Sequence, residues 1–203
     1  MDDLTIIEQV LQGNTNAFGL LVERYQTKVY NLALRMCGNE EDAFDLSQEA
    51  FVRAWQNLSG FHRDAAFSTW LFRLTSNVCI DFLRSQKRRA AVSLTYLDDD
   101  NEAAQLDLPD PGLGPEAAAL AAEDRELLRR AMDQLSPECR QIITLRAIDD
   151  LSYAQIAEIL NVQEGTVKSR LSRARTQLKN KLLQIGNKSF REASILSGRG
   201  DAR

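Results

Sequence analysis

Histidine and cysteine, the residues that most often build metal sites, are scarce in this chain. Its 203 residues include one histidine, His62, and three cysteines, Cys37, Cys79 and Cys139. The cysteines are odd in number and far apart in the sequence, so we predict buried free thiols rather than a disulfide framework. Because a lone histidine without a close cysteine pair fits no common zinc pattern, we predict no metal site and no cofactor.

Long apolar runs are also lacking. No run approaches the roughly 20 residues that a membrane-spanning helix needs, and the acidic start Met1-Asp2-Asp3-Leu4 lacks the features of a secretion signal. We therefore expect a cytoplasmic protein without membrane insertion. The sequence shows no nucleophile with a base, no catalytic carboxylate pair, no phosphate-binding glycine loop and no metal cluster, so we predict that it is not an enzyme.

Glycine and proline are sparse outside one stretch, and helical periodicity dominates elsewhere. Apolar residues recur every three or four positions over 14–36, 39–58 and 68 to about 87. Asn39 is a predicted N-cap, and Trp55 is predicted to lie on the buried side of the helix that follows it. We predict an all-α fold in which residues 1–92 form a first helical domain.

An acidic stretch separates this domain from the rest of the chain. Residues 97–116 include seven acidic and no basic side chains, together with Pro109, Pro111 and Pro115. This composition predicts a linker over 93–118. Residues 119–186 are predicted to form a second helical domain, followed by a flexible tail over 187–203.

The pattern of residues 151–175 indicates a helix-turn-helix. Ser152 and Gln155 form a capping box before a short apolar helix, and Asn161 suits a left-handed turn residue. In the next helix, an inward stripe of Val167, Leu171, Ala174 and Leu178 leaves Ser169, Ser172 and Arg173 outward, with Lys168 on a flank and Arg170 nearer the buried edge. Six basic residues but a single acidic one, Glu164, lie between 161 and 184. Such a basic face is typical of nucleic-acid binding.

Several motifs, in this order, resemble those of the extracytoplasmic-function (ECF) sigma factors of bacterial RNA polymerase, and the resemblance covers nearly all of residues 1–186. The segment Asp45–Phe51 resembles the helix that binds the β′ coiled coil of the polymerase. The segment Phe67–Leu74, followed by Asn77, resembles the part that reads and melts the −10 element. The segment Leu135–Arg140 and the helix-turn-helix resemble the domain that reads the −35 element and binds the β flap.

Together, the resemblance and the residue chemistry give four sets of candidate contacts. Core polymerase binding is predicted for Asp45, Gln48 and Glu49. Contacts with single-stranded −10 DNA are predicted for Arg63, Asp64, Trp70, Arg73 and Asn77, and phosphate contacts for Arg84, Lys87, Arg88 and Arg89. Contacts with double-stranded −35 DNA are predicted for Lys168, Ser169, Arg170, Ser172 and Arg173. Asn77 is the preferred specificity residue because its amide offers a donor and an acceptor, whereas Trp70 is expected to serve partly as core.

The function that the resemblance implies is that of a dissociable promoter-specificity subunit. It would direct core RNA polymerase to promoters with −35 and −10 elements, promote DNA melting, and be controlled by an anti-sigma factor. One alternative is a helix-turn-helix regulator that binds duplex DNA as a dimer without being a sigma subunit. A second alternative is an interaction protein that sequesters other factors.

Overall fold

The computed structural model describes residues 1–63, 65–93, 115–147 and 151–197. Every regular element in these ranges is helical, which confirms the all-α prediction. The helices are α1 (Asp3–Leu11), α2 (Phe18–Cys37), α3 (Glu40–Gln56), α4 (Phe67–Ser93), α5 (Pro115–Asp133), α6 (Pro137–Ala147), α7 (Tyr153–Leu160) and α8 (Glu164–Ser197), with 3₁₀ turns at Thr15–Ala17 and Leu58–Gly60.

Some predictions fall on residues outside these ranges. Asp64, most of the predicted linker and the last six residues of the predicted tail are among them. The predicted domain boundaries at 92, 118 and 186 therefore stay predictions. Helices α1–α4 form the first half of the structure, and α5–α8 form the second half.

Helix α1 is an element that the sequence analysis did not predict. The Asp2 carboxylate caps it by accepting the Thr5 N–H at 2.8 Å, and its apolar side is buried. Asp3 holds α1 against α2 by pairing with Arg24 and by accepting a hydrogen bond from the Tyr25 hydroxyl at 2.5 Å. A nine-residue helix is marginal by itself, so this packing accounts for its formation.

The reversal between α2 and α3 follows the predicted capping chemistry. Gly38 ends α2 in the left-handed region at φ 79°, and the Asn39 side chain accepts the Asp42 N–H at 3.0 Å to cap α3. The predicted burial of Trp55 is wrong, since this residue is 40% exposed. Its ring stands edge-on to Phe18 at 5.1 Å, at the border between the core and the solvent face of α3.

The helix-turn-helix has the predicted local geometry. The Ser152 side chain accepts the Gln155 N–H at 3.2 Å, and the Gln155 side chain accepts the Ser152 N–H at 2.9 Å. Asn161 adopts the left-handed conformation with φ 50° and ψ 52°. In α8, Val167, Leu171 and Ala174 are buried as predicted, so the opposite side of this helix faces solvent.

The two halves pack against each other. Helices α2 and α4 contact α6, and α4 also contacts α7. Most buried apolar residues of both halves form one continuous cluster that extends from Ile6 to Ala174. The three cysteines are free; Cys79 is buried, whereas Cys37 and Cys139 are only partly buried. Burial nevertheless raises the pKa of the Cys37 thiol to about 11.

Candidate nucleic-acid interface

The solvent side of α8 carries the five residues predicted to contact double-stranded DNA. They are all exposed: Lys168, Ser169, Arg170, Ser172 and Arg173. Arg170, which the helical wheel put nearer the buried edge, is exposed as well. The result is a polar and basic face along the first three turns of the helix.

Tyr153 holds two cations beside this face. The Lys168 ammonium nitrogen lies 5.8 Å from the centre of the Tyr153 ring, and the Arg146 guanidinium carbon lies 5.7 Å from it. Lys168 also pairs with Glu164 at 3.2 Å, one turn earlier in α8. The sequence analysis did not predict Arg146 or Tyr153 as site residues, because the ring brings together cations from α6 and α8 that are distant in sequence.

The predicted −10 residues lie on α4 and in the loop before it. Arg73 and Asn77 are exposed one helical turn apart. Trp70 is only 8% exposed and packs on Phe61 and Phe67, with ring centres 5.4 and 5.6 Å away. Most of its ring therefore belongs to the core.

Arg63, in the loop before α4, has an unusual backbone conformation. Its φ of 60° lies in the left-handed region, and its guanidinium pairs with Glu8 of α1 at 2.9 Å. The neighbouring Asp64 lies outside the described residues. This pair links the loop before α4 to α1.

The predicted phosphate contacts lie on the second part of α4, and two of them are engaged within the chain. Arg84 pairs with Glu138 of α6 at 3.0 Å, and the Lys87 ammonium donates to the Leu135 carbonyl at 3.0 Å. Hydrogen bonds from its own backbone N–H and from Arg84 lower the pKa of Glu138. Arg88 and Arg89 are exposed.

A cleft of about 600 Å³ separates the start of α4 from the helix-turn-helix. Arg63, Trp70 and Arg73 line one side, and Glu158 and Asn161 line the other. The predicted −10 residues on the first part of α4 therefore face the turn of the second half in this conformation.

Helix α3 presents an acidic face interleaved with large apolar side chains. The three residues predicted to bind core polymerase, Asp45, Gln48 and Glu49, are exposed. Beside them, Phe44 is 56% and Val52 is 53% exposed. Large exposed apolar residues rimmed by charge are typical of protein-binding surfaces. Phe44 and Val52 were not among the predicted site residues, although their separation of eight residues puts them on one side of a helix.

Neither a metal site nor a membrane-spanning helix is found among the described residues. Within the ranges that the structure covers, no three His, Cys, Asp or Glu side chains are grouped to hold a metal ion. Among the same residues, no helix combines the length and apolar character needed to cross a membrane.

Comparison with known proteins identifies the family. The chain matches the family models Sigma-70 region 2, over residues 21–89, and Sigma-70, region 4, over residues 125–178. It is 36% identical over 179 residues to the ECF RNA polymerase sigma factor SigW of Bacillus subtilis (strain 168), a match that covers 88% of this chain and 96% of SigW. The chain belongs to the ECF RNA polymerase sigma factors.

Other relatives of this sigma factor agree with that assignment. It is 38% identical over 183 residues to the ECF RNA polymerase sigma-E factor of Escherichia coli (strain K12), covering 90% of this chain and 95% of the relative. Its structure resembles that of CnrH in complex with the cytosolic domain of CnrY, with a TM-score of 0.60, 27% identity and coverage of 89% and 96% of the two chains. The relatives are sigma factors, which are not enzymes.

The two family matches divide the sigma factor between its halves. The region 2 match covers most of α2 and all of α3, and it ends within α4, whereas the region 4 match begins within α5 and ends within α8. The presence of both regions favours the sigma-factor prediction over that of a helix-turn-helix regulator, which requires only the second.

Proposed function

We propose that this sigma factor binds core RNA polymerase in the cytoplasm, directs it to promoters by reading −35 and −10 elements, and promotes melting of the −10 DNA. The observation that carries this proposal is the exposed basic face of α8, supported from behind by the capped helix α7 and the left-handed Asn161. The proposed role of the sigma factor is to recognise DNA and not to catalyse a reaction, so we propose no catalytic role for any residue.

The −35 element is read by α8 in the major groove. Arg173 and Arg170 are the residues best suited to guanine edges, because a guanidinium can donate two hydrogen bonds to one base. Ser169 and Ser172 can bond bases or phosphates, and Lys168 is oriented by Tyr153 for a phosphate.

The −10 element is held as a single strand along α4. Asn77 and Arg73 lie on one exposed face, where an amide can read a base edge and a guanidinium can hold the backbone. Arg63 and Asp64 precede this face, and the free edge of Trp70 offers a surface to an unstacked base. Arg84, Lys87, Arg88 and Arg89 continue the line of positive charge for the phosphates.

Protein partners use other surfaces. We propose that Asp45, Gln48 and Glu49, with the neighbouring Phe44 and Val52, bind the β′ coiled coil, and that the second half binds the β flap. CnrH is bound by the cytosolic domain of CnrY, and we propose that an anti-sigma factor controls this chain in a comparable way.

Run-off transcription with purified core polymerase tests the proposal. Arg173→Ala is expected to reduce initiation from a −35-dependent promoter about 10- to 100-fold, since a bidentate base contact contributes about 1–3 kcal/mol. Lys179→Ala removes one positive charge from an exposed site further along α8 and serves as the matched control, with at most a few-fold effect.

Two results would overturn the proposal. The first is that core polymerase mixed with the chain neither associates with it nor initiates at a new promoter. The second is that the purified chain alone protects a palindromic duplex at physiological salt, which would favour the helix-turn-helix regulator instead.

A further inference from the structure

Helix α1 lies outside both family matches, yet it contacts the loop that leads into α4. The region 2 match begins at residue 21, whereas α1 covers Asp3–Leu11. The Glu8 carboxylate of α1 pairs with the Arg63 guanidinium of the loop at 2.9 Å. Helix α1 also contacts the 3₁₀ turn Leu58–Gly60, which directly precedes this loop. An element that neither family match includes therefore touches a segment with a predicted −10 contact.

Aromatic packing fixes the two ends of this loop. The Phe61 and Phe67 rings meet edge-on with centres 5.7 Å apart, and both pack on Trp70. The Tyr25 ring packs on Phe67 at 5.6 Å, and the Tyr25 hydroxyl donates to Asp3 of α1 at 2.5 Å. Because Phe61 and Phe67 are buried, any freedom of the loop is confined to the residues between them.

The backbone of Arg63 adopts a conformation that its own chemistry does not favour. Its φ of 60° lies in the left-handed region, where a Cβ crowds the backbone, and arginine lacks the short polar side chain with which asparagine compensates. Such conformations persist where surrounding contacts determine them, and they cluster at functional sites. The ion pair with Glu8 is a contact of this kind, because it fixes the far end of the Arg63 side chain.

The position of Arg63 bears on the surface proposed for the −10 strand. Arg63 lines the same cleft as Trp70 and Arg73, and Arg73 lies one helical turn before Asn77 on the exposed face of α4. Groups that bind a ligand selectively must be held to within about 0.5 Å by the residues that support them. A contact that fixes Arg63 therefore affects how well an unstacked base and its phosphates fit this surface.

We propose that Glu8 is a positioning residue for −10 recognition: it holds Arg63, and with it the loop before α4, in the conformation that accepts the unstacked strand. The inference rests on the proposed function, since it takes Arg63, Trp70 and Arg73 as −10 contacts. Glu8 acts through Arg63 and not on the DNA itself, because a carboxylate beside the strand would repel phosphates. Both side chains of the pair are about half exposed, so its removal should leave the fold intact.

A double-mutant cycle in the holoenzyme tests this role. The probes are a single-stranded DNA with the −10 sequence that the wild-type holoenzyme selects from a random pool, and the single-base variants of that strand. Fluorescence anisotropy gives, for each protein, the ratio between the affinity for the selected strand and that for each variant. We expect Glu8→Gln to lower this ratio about two- to fivefold at one or more positions, the range that an exposed ion pair allows. In an Arg63→Gln background, Glu8→Gln should have no further effect.

Glu23→Gln is the matched control for the cycle. It makes the same charge change at an exposed position of α2 and should leave every ratio unchanged. A uniform gain in affinity for all strands in Glu8→Gln, with or without Arg63, would show that Glu8 only repels DNA, and it would overturn the inference.

Hydrogen–deuterium exchange of the free chain tests the restraint without DNA or polymerase. Removal of the ion pair leaves the loop with fewer contacts, so Glu8→Gln is expected to speed amide exchange in a peptide covering 58–67 about two- to fivefold. Glu23→Gln should exchange in this peptide at the wild-type rate. Equal exchange in the two variants would show that Glu8 does not restrain the loop.

The two measurements separate this inference from the proposed function. If the wild-type holoenzyme selects its −10 strand but Glu8→Gln leaves the ratios unchanged, the proposed function stands and the positioning role is wrong. If exchange rises in Glu8→Gln but the wild-type holoenzyme does not form, or prefers no strand, then α1 restrains the loop. In that case the proposed function fails, and the role in −10 recognition fails with it.

Discussion

At the scale of single residues, Thr144 of α6 is an uncompensated polar group. Its side chain is 2% exposed, and its hydroxyl has no hydrogen-bond partner in the described part of the chain. A buried hydroxyl without a partner costs about 1–3 kcal/mol of desolvation. Thr144→Val replaces it with a methyl group of nearly the same shape, so we expect the free energy of unfolding to rise by about 1 kcal/mol in urea titrations.

Thr144→Ser is the control for this prediction, because it keeps the hydroxyl and removes a methyl group. It should lower the free energy of unfolding by about 1 kcal/mol. A loss of stability in the valine variant equal to that in the serine variant would contradict the argument.

The sequence predicts which side chains of α8 face outward. It does not predict ion pairs between residues that are distant in sequence. Helical rotation alone put Ser169, Ser172 and Arg173 outward, as the structure has them. The pairing of Arg63 with Glu8, and that of Arg84 with Glu138, depend on how α1 and α6 dock. No local pattern contains that information, because the paired residues are distant in sequence.

At the scale of elements, the turn between α7 and α8 depends on one left-handed residue. Asn161 has φ 50°, a conformation that costs a side chain with a branched Cβ about 1–2 kcal/mol but costs glycine little. We expect Asn161→Val to lower the free energy of unfolding by that amount and Asn161→Gly to change it by less than about 0.5 kcal/mol. Chemical denaturation of the two variants checks this, and equal losses would show that the amide side chain matters instead.

Also at the scale of elements, the sequence predicts helix caps but not every helix. The capping box at Ser152 and the cap at Asn39 were predictable because each is a local hydrogen bond between residues three positions apart. Helix α1 escaped prediction because its formation depends on the docking of Asp3 onto α2. The exposure of Trp55 was missed for a related reason: periodicity identifies an apolar stripe but not where the core ends.

At the scale of the whole molecule, the sequence predicts two helical domains joined by a linker. In the structure most of their buried apolar residues form one cluster, and the buried Arg140 of α6 donates hydrogen bonds to the Met36 carbonyl of α2 and the Met132 carbonyl of α5. We expect the wild type to unfold in a single calorimetric transition, since both halves lose packing together. Arg140→Ala should lower the melting temperature and resolve two transitions, because it removes the hydrogen bonds that the guanidinium donates to the Met36 and Met132 carbonyls.

Arg88→Ala is the matched control for this experiment, since Arg88 is exposed and its removal should leave a single transition at nearly the same temperature. A single transition in the Arg140 variant, shifted no further than in the control, would show that the apolar cluster alone couples the halves.

The shared guanidinium has a consequence for protein engineering. Arg140 donates hydrogen bonds to one carbonyl in each half of the molecule. The two promoter-binding halves therefore cannot be exchanged freely with those of relatives. Consider a hybrid in which the second half comes from a relative without an equivalent arginine. It would keep both promoter-binding halves but lose the buried hydrogen bonds between them. Such a hybrid is expected to unfold at a lower temperature than this chain, because the Met36 carbonyl would lack the hydrogen bond that Arg140 donates.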